Sequence, residues 1–116
     1  MLVYDNKVAK YLLTNPIVDK FLKEVDTKIE EYYKTKLPNL AMPLVKVDLG
    51  NKFIKITSDS SCWGFISRVD GDLKGSPIKK GDLLKPASYC APAKHARGNI
   101  IDGTAKYGVY GPDYLK

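Results

Sequence analysis

The chain is poor in the side chains from which most catalytic and metal centres are built: among 116 residues it has one histidine, two cysteines and one tryptophan. A lone histidine cannot supply a paired acid and base. Cys62, Cys90 and His95 match no zinc spacing, and Asp70-x-Asp72 lacks the other ligands of a calcium loop, so no metal or cofactor is expected. No glycine-rich phosphate loop or dinucleotide fingerprint occurs. No run approaches the roughly 18 apolar residues of a membrane span, and Met1 to Asp5 is not a basic start followed by an apolar run. Neither a membrane nor a secretory segment is therefore expected. Cys62 and Cys90 could in principle pair, but so few thiols also fit a reduced, cytosolic protein. There are no repeats and no low-complexity tracts.

What the chain does have is positive charge. Nineteen Lys and Arg stand against 13 Asp and Glu, a formal +6. Both halves carry +3, yet Lys74 to Arg97 concentrates Lys74, Lys79, Lys80, Lys85, Lys94 and Arg97 against Asp82 alone, +5 in 24 residues. Such a field raises the local concentration of anions, which puts phosphate-bearing partners first.

The length suits one domain with a single core. Residues 1–40 read as helical. Val8, Tyr11 and Leu12 suggest a short helix from Asp5 to Leu13. Asn15-Pro16 then starts a second of about 19 residues, Asn accepting from a first-turn amide and Pro supplying the helical φ. Ile17, Phe21, Leu22, Val25, Ile29, Tyr32 and Tyr33 mark its apolar side, and Pro38 ends it. From Leu44 the period becomes 2. Val45 to Leu49 and Phe53 to Thr57 read as a hairpin around Gly50-Asn51, Cys62 to Val69 as a third strand, and Gly81 to Lys85 as a fourth stopped by Pro86. In the third strand Trp63, Phe65 and Ser67 are expected to share one face. The expected architecture is α+β: two N-terminal helices packed on a small antiparallel sheet of about four strands spanning 44–86, then a long irregular segment, 87–116. A stretch of that length without periodicity is usually functional or disordered, and Tyr89, Ile100, Ile101, Tyr107, Val109, Tyr110, Tyr114 and Leu115 give it too many groups that want burial for disorder.

The richest chemistry lies in Lys85 to Asn99. Lys85, Lys94 and Arg97 can hold phosphate oxygens, small neighbours let a ligand approach, and Ser88 and Asn99 can hydrogen-bond a ribose or base. Tyr89 and Trp63 are candidates to stack on a base. In the alternative reading, Arg97 and Asn99 tie the tail to the body through backbone carbonyls. His95 is the one group with an unperturbed pKa near neutrality, so any catalysis would be phosphodiesterase-like and centred there, or would pair it with the Cys90 thiol. The set is too thin for an enzyme to be the preferred expectation.

Gly81-Asp82-Leu83-Leu84-Lys85-Pro86-Ala87-Ser88, Ala91 to Ile100 (Ala-Pro-Ala-Lys-His-Ala-Arg-Gly-Asn-Ile) and Tyr107-Gly108-Val109-Tyr110-Gly111-Pro112-Asp113-Tyr114-Leu115 together resemble the closing box of a widespread family of small tailed-phage proteins. The resemblance covers about residues 44–116. Tyr89 and Cys90 stand where that family usually has Trp and a basic residue, and the connection Arg68 to Lys80 is longer. The resemblance implies phage origin and the host cytoplasm; the family is largely without an assigned activity. Together with the charge it leads to one functional expectation: non-catalytic binding of a phosphate-bearing nucleotide, sequestering a signal of host immunity, with a homo-oligomer as a means of enclosing the ligand. Single-stranded nucleic-acid binding on an open groove, or protein–protein inhibition of a host enzyme through the tyrosine-rich tail, are the alternatives.

Overall fold

Helix α1 (Asn6–Leu13) begins where Asp5 Oδ1 accepts the Val8 amide at 2.9 Å, an N-cap that satisfies one otherwise unpaired donor. Helix α2 runs from Pro16 to Lys36 and buries Val18, Phe21, Leu22, Val25 and Ile29. Two details of the expected helix are corrected. Ile17 is off the 18–22–25–29 row and is 46% exposed. Asn15 does not cap α2 with its side chain; Nδ2 instead donates backwards to the Tyr11 carbonyl at 2.8 Å, closing the end of α1.

The computed structural model describes residues 1–89 and 91–113. Cys90, Tyr114, Leu115 and Lys116 lie outside the described residues, and with them a Cys62–Cys90 pair, a Cys90 thiol beside His95 and the burial expected of Tyr114 and Leu115.

The helices pack on a sheet larger than the sequence pattern suggests. Six strands, β1 (Leu2–Val3), β2 (Val45–Leu49), β3 (Phe53–Ser58), β4 (Ser61–Ser67), β7 (Asp82–Ser88) and β8 (Ala91–Asn99), lie in the order β1-β2-β3-β4-β7-β8. The sheet is mixed, because β1 runs parallel to β2 while the other pairs are antiparallel. Two ribbons flank it: β5 (Gly71–Leu73) with β6 (Ser76–Ile78), and β9 (Tyr107–Gly108) with β10 (Gly111–Pro112). The expectation of about four strands and an irregular 87–116 is thus overturned, although the fold stays α+β.

The missed strands have a physical explanation. Strand β8 reads Ala-Pro-Ala-Lys-His-Ala-Arg-Gly-Asn, with no apolar alternation, because it is an edge strand that pairs with β7 through repeated register shifts. Pro92 is tolerated there since an edge strand has one set of amides outside the ladder. Pro86 does not stop β7, because β4 pairs with β7 only at Leu83 and Leu84; beyond that point an amide on that side has no partner to lose.

A second irregularity moves Trp63. The β3–β4 register shifts between Ile56 and Thr57, so strict alternation breaks and Trp63 joins Ile66 in the main core under α2 instead of sharing a face with Phe65. Phe65 and Leu84, opposite each other across β4 and β7, are buried outside that cluster. No helix among the described residues is long and apolar enough to cross a membrane.

Candidate functional site

The hydrogen-bonding groups of the Lys85–Asn99 segment divide into those that close the fold and those that face outward. Asn99 belongs to the first set. It is buried, its Nδ2 donates to the Lys80 carbonyl and to Asp82 Oδ1, each at 2.9 Å, and its Oδ1 accepts the Ile101 amide at 2.7 Å. Asp82 is also buried, and its other oxygen accepts the Lys79 amide at 2.8 Å. This carboxylate–amide pair replaces water for the backbone of two adjoining turns, the requirement for burying such groups.

Lys85 and Arg97 are brought together, and both reach for the tail. Lys85 Nζ donates to the Pro112 carbonyl at 2.7 Å and Arg97 Nε to the Asp113 carbonyl at 2.9 Å, while Arg97 Nη1 donates to the His95 carbonyl. Burial pushes the Lys85 pKa down, and the nearby Arg97 charge adds to the shift. Trp63 is 2% exposed. Its indole N–H donates to the Val109 carbonyl at 3.0 Å, and its ring meets Phe21 and Tyr107 edge-on at 6.2 and 5.9 Å. It is a core residue rather than a stacking surface.

Gly98 and Gly111 show how tightly this closure is built. Gly98 has φ +90°, and a Cβ there would lie 2.0 Å from the Thr104 carbonyl oxygen. Gly111 has φ +137°, and a Cβ would lie 2.6 Å from the Trp63 carbonyl oxygen. Only glycine combines that backbone with that proximity.

Ser88, Tyr89, Lys94 and His95 remain outward. All four are exposed, Ser88 and Tyr89 at the turn end of the β7–β8 hairpin, Lys94 and His95 along the edge strand. The structure adds Lys55 to this group. It stands on the sheet face opposite the helices, across from Phe65, and its Nζ lies 3.5 Å from the centroid of the Tyr89 ring. The alternation of β3 places Lys55 on that face, but its meeting with Tyr89 depends on how far the hairpin curls back over β3, which no local pattern encodes. Among the described residues no group of three or more His, Cys, Asp or Glu could hold a metal ion.

Comparison with protein-family models, curated proteins and solved structures finds no match to this chain.

Proposed function

We propose that the protein binds phosphate-bearing nucleotides without catalysis, on the open surface of the β7–β8 hairpin. The observation that carries this is Tyr89, 53% exposed, with the Lys55 ammonium over one face of its ring so that a base would stack on the other, and with Lys94 and His95 exposed on the adjoining strand. An aromatic ring offers a base a stacking face worth about 1–3 kcal/mol, and flanking cations attract the backbone. With Lys85, Arg97 and Asn99 engaged in the fold, the remaining groups lie along an exposed strand rather than around a point. That arrangement favours an extended single strand over an enclosed mononucleotide.

The resemblance to small tailed-phage proteins supplies the second reading, in which the same surface captures a nucleotide signal of host defence in the host cytoplasm and a homo-oligomer encloses it. Fluorescence anisotropy with a labelled dodecathymidylate and a panel of cyclic and mononucleotides separates the two. The strand reading expects oligomer binding whose affinity falls with salt with a slope near 0.7 per contacted phosphate, and a loss of roughly tenfold or more in Tyr89→Ala. Equal affinity for a mononucleotide would favour the signal reading. Absence of binding by every probe at high micromolar protein would overturn both.

A further inference from the structure

The corner where α1 turns into α2 faces the end of β4 across a cleft that the hairpin surface does not touch. Two adjoining hollows make it, of about 340 Å³ and about 170 Å³, sharing Tyr11, Thr14, Asn15 and Lys80 as walls. The larger is polar and is completed by Asn51 and Arg68. The smaller is lined by Pro16, Ile17, Val18 and Ile101, and its rim leaves Ile17 and Ile101 nearly half exposed.

Charge in this cleft is all of one sign. Arg68 is fixed in place: its guanidinium carbon lies 4.8 Å from the centroid of the Tyr11 ring, and Nη1 donates to the Gly50 carbonyl. Where Arg97 spends both Nε and Nη1 on carbonyls, Arg68 spends Nη1 alone, and the rest of its five-donor fork can meet a ligand. Lys80, an exposed residue, lines both hollows. No carboxylate lines either hollow, and the neighbouring Asp70 turns Oδ1 to the Lys80 amide at 2.8 Å. Asn15 turns away from the start of α2 and no side chain caps its first turn, which carries one carboxylate, Asp19, paired with Lys23 at 3.0 Å. Amides at the start of a 21-residue helix present a partial positive charge. A concavity lined by two cationic residues and no carboxylate attracts an anion.

We propose that this cleft is a binding site for a small phosphate monoester bearing a compact apolar group. Arg68 and Lys80 would take the phosphate oxygens, with the Asn51 amide able to donate to them; Thr14 and Asn15 spend their donors on the Tyr11 carbonyl and shape the wall. The apolar group would sit against Val18 and Ile101. The smaller hollow has room for about five or six waters' worth of volume, which suits a single ring and not a larger body.

The test is a ¹H–¹⁵N NMR titration of the full chain with inorganic phosphate and with phenyl phosphate. Both are expected to shift the amides of Ile17 and Val18 saturably, with phenyl phosphate at least about fivefold tighter. Lys80→Ala changes an exposed side chain and should weaken both probes by about tenfold; Arg68→Ala should do the same. Ile101→Ala should weaken phenyl phosphate alone. Lys94→Ala, on the hairpin, should leave both unchanged, which keeps this site separate from the nucleotide surface. If Arg68→Ala fails to fold, Lys80→Ala decides. No saturable shift with either probe at about 10 mM, or binding indifferent to Lys80→Ala, would overturn the proposal. Equal affinity for the two probes would reduce the site to an anion site and remove the apolar group.

Discussion

Asn99 and Lys94 belong to the same strand and the same sequence motif, yet the structure gives them opposite roles. Asn99→Ala removes a donor to the buried Asp82 carboxylate and strands the amides of the following turn. We expect a loss of about 2–4 kcal/mol in urea unfolding and a Tm lower by on the order of 10–20 °C. Lys94→Ala should change stability by less than about 0.5 kcal/mol, as an exposed side chain outside the fold's hydrogen-bond network does. Near-equal effects of the two changes would remove the distinction between closure and surface. Gly98→Ala should be more severe still, because the added methyl meets a backbone oxygen that is held by the chain around it. Tyr107 gives a pH signature. Its pKa is raised, first by burial and then by the Glu24 carboxylate that its hydroxyl faces at 3.3 Å. A phenol that holds its proton more tightly when folded stabilises the protein below the ordinary tyrosine pKa, about 10, and that contribution disappears as pH rises through the folded value. Stability should therefore decline in that alkaline window, and Tyr107→Phe should flatten part of the decline in thermal melts taken between pH 8 and 11.

At the scale of elements, the β9–β10 ribbon is a clasp. It sits on the backbone of β4 through Gly111, takes hydrogen bonds from Lys85 and the Trp63 indole at Pro112 and Val109, and lays Tyr107 against Phe21 of α2 at 5.1 Å. Helix, sheet and tail thus meet around the single tryptophan. Gly111→Ala should lift the ribbon and admit water to Trp63, seen as a red shift of its fluorescence with far-UV circular dichroism of the helices little changed. Unaltered emission would mean that the ribbon does not shield the indole. The same element explains why the tail resists reading as secondary structure: its strands are two residues each, and what holds them is side-chain contact with distant parts of the chain rather than a repeating ladder.

The whole molecule has a radius of gyration of 13.7 Å, close to the roughly 13 Å expected of one compact body of this length. Because Trp63 reports on the tail and core together while circular dichroism reports on α1 and α2, the two signals should follow one unfolding transition. A tail that melted first would split them. Helix periodicity, the Gly50-Asn51 hairpin and the concentration of positive charge are local properties, and the sequence by itself determined them. The breadth of the sheet was not legible, since β8 has neither the alternation nor the β-branched residues of a buried strand and is a strand only because β7 lies beside it. Nor could spacing tell which cations are available. Lys85 and Arg97 look like phosphate ligands until the tail's carbonyls fold over them, whereas Lys55 and Arg68 look like ordinary surface charge until the hairpin and the helix corner come to them. Local propensity acts over a few residues. The assignment of a charge to the fold or to a ligand depends on which distant backbone carbonyls and open helix ends it meets, and only the tertiary structure decides that.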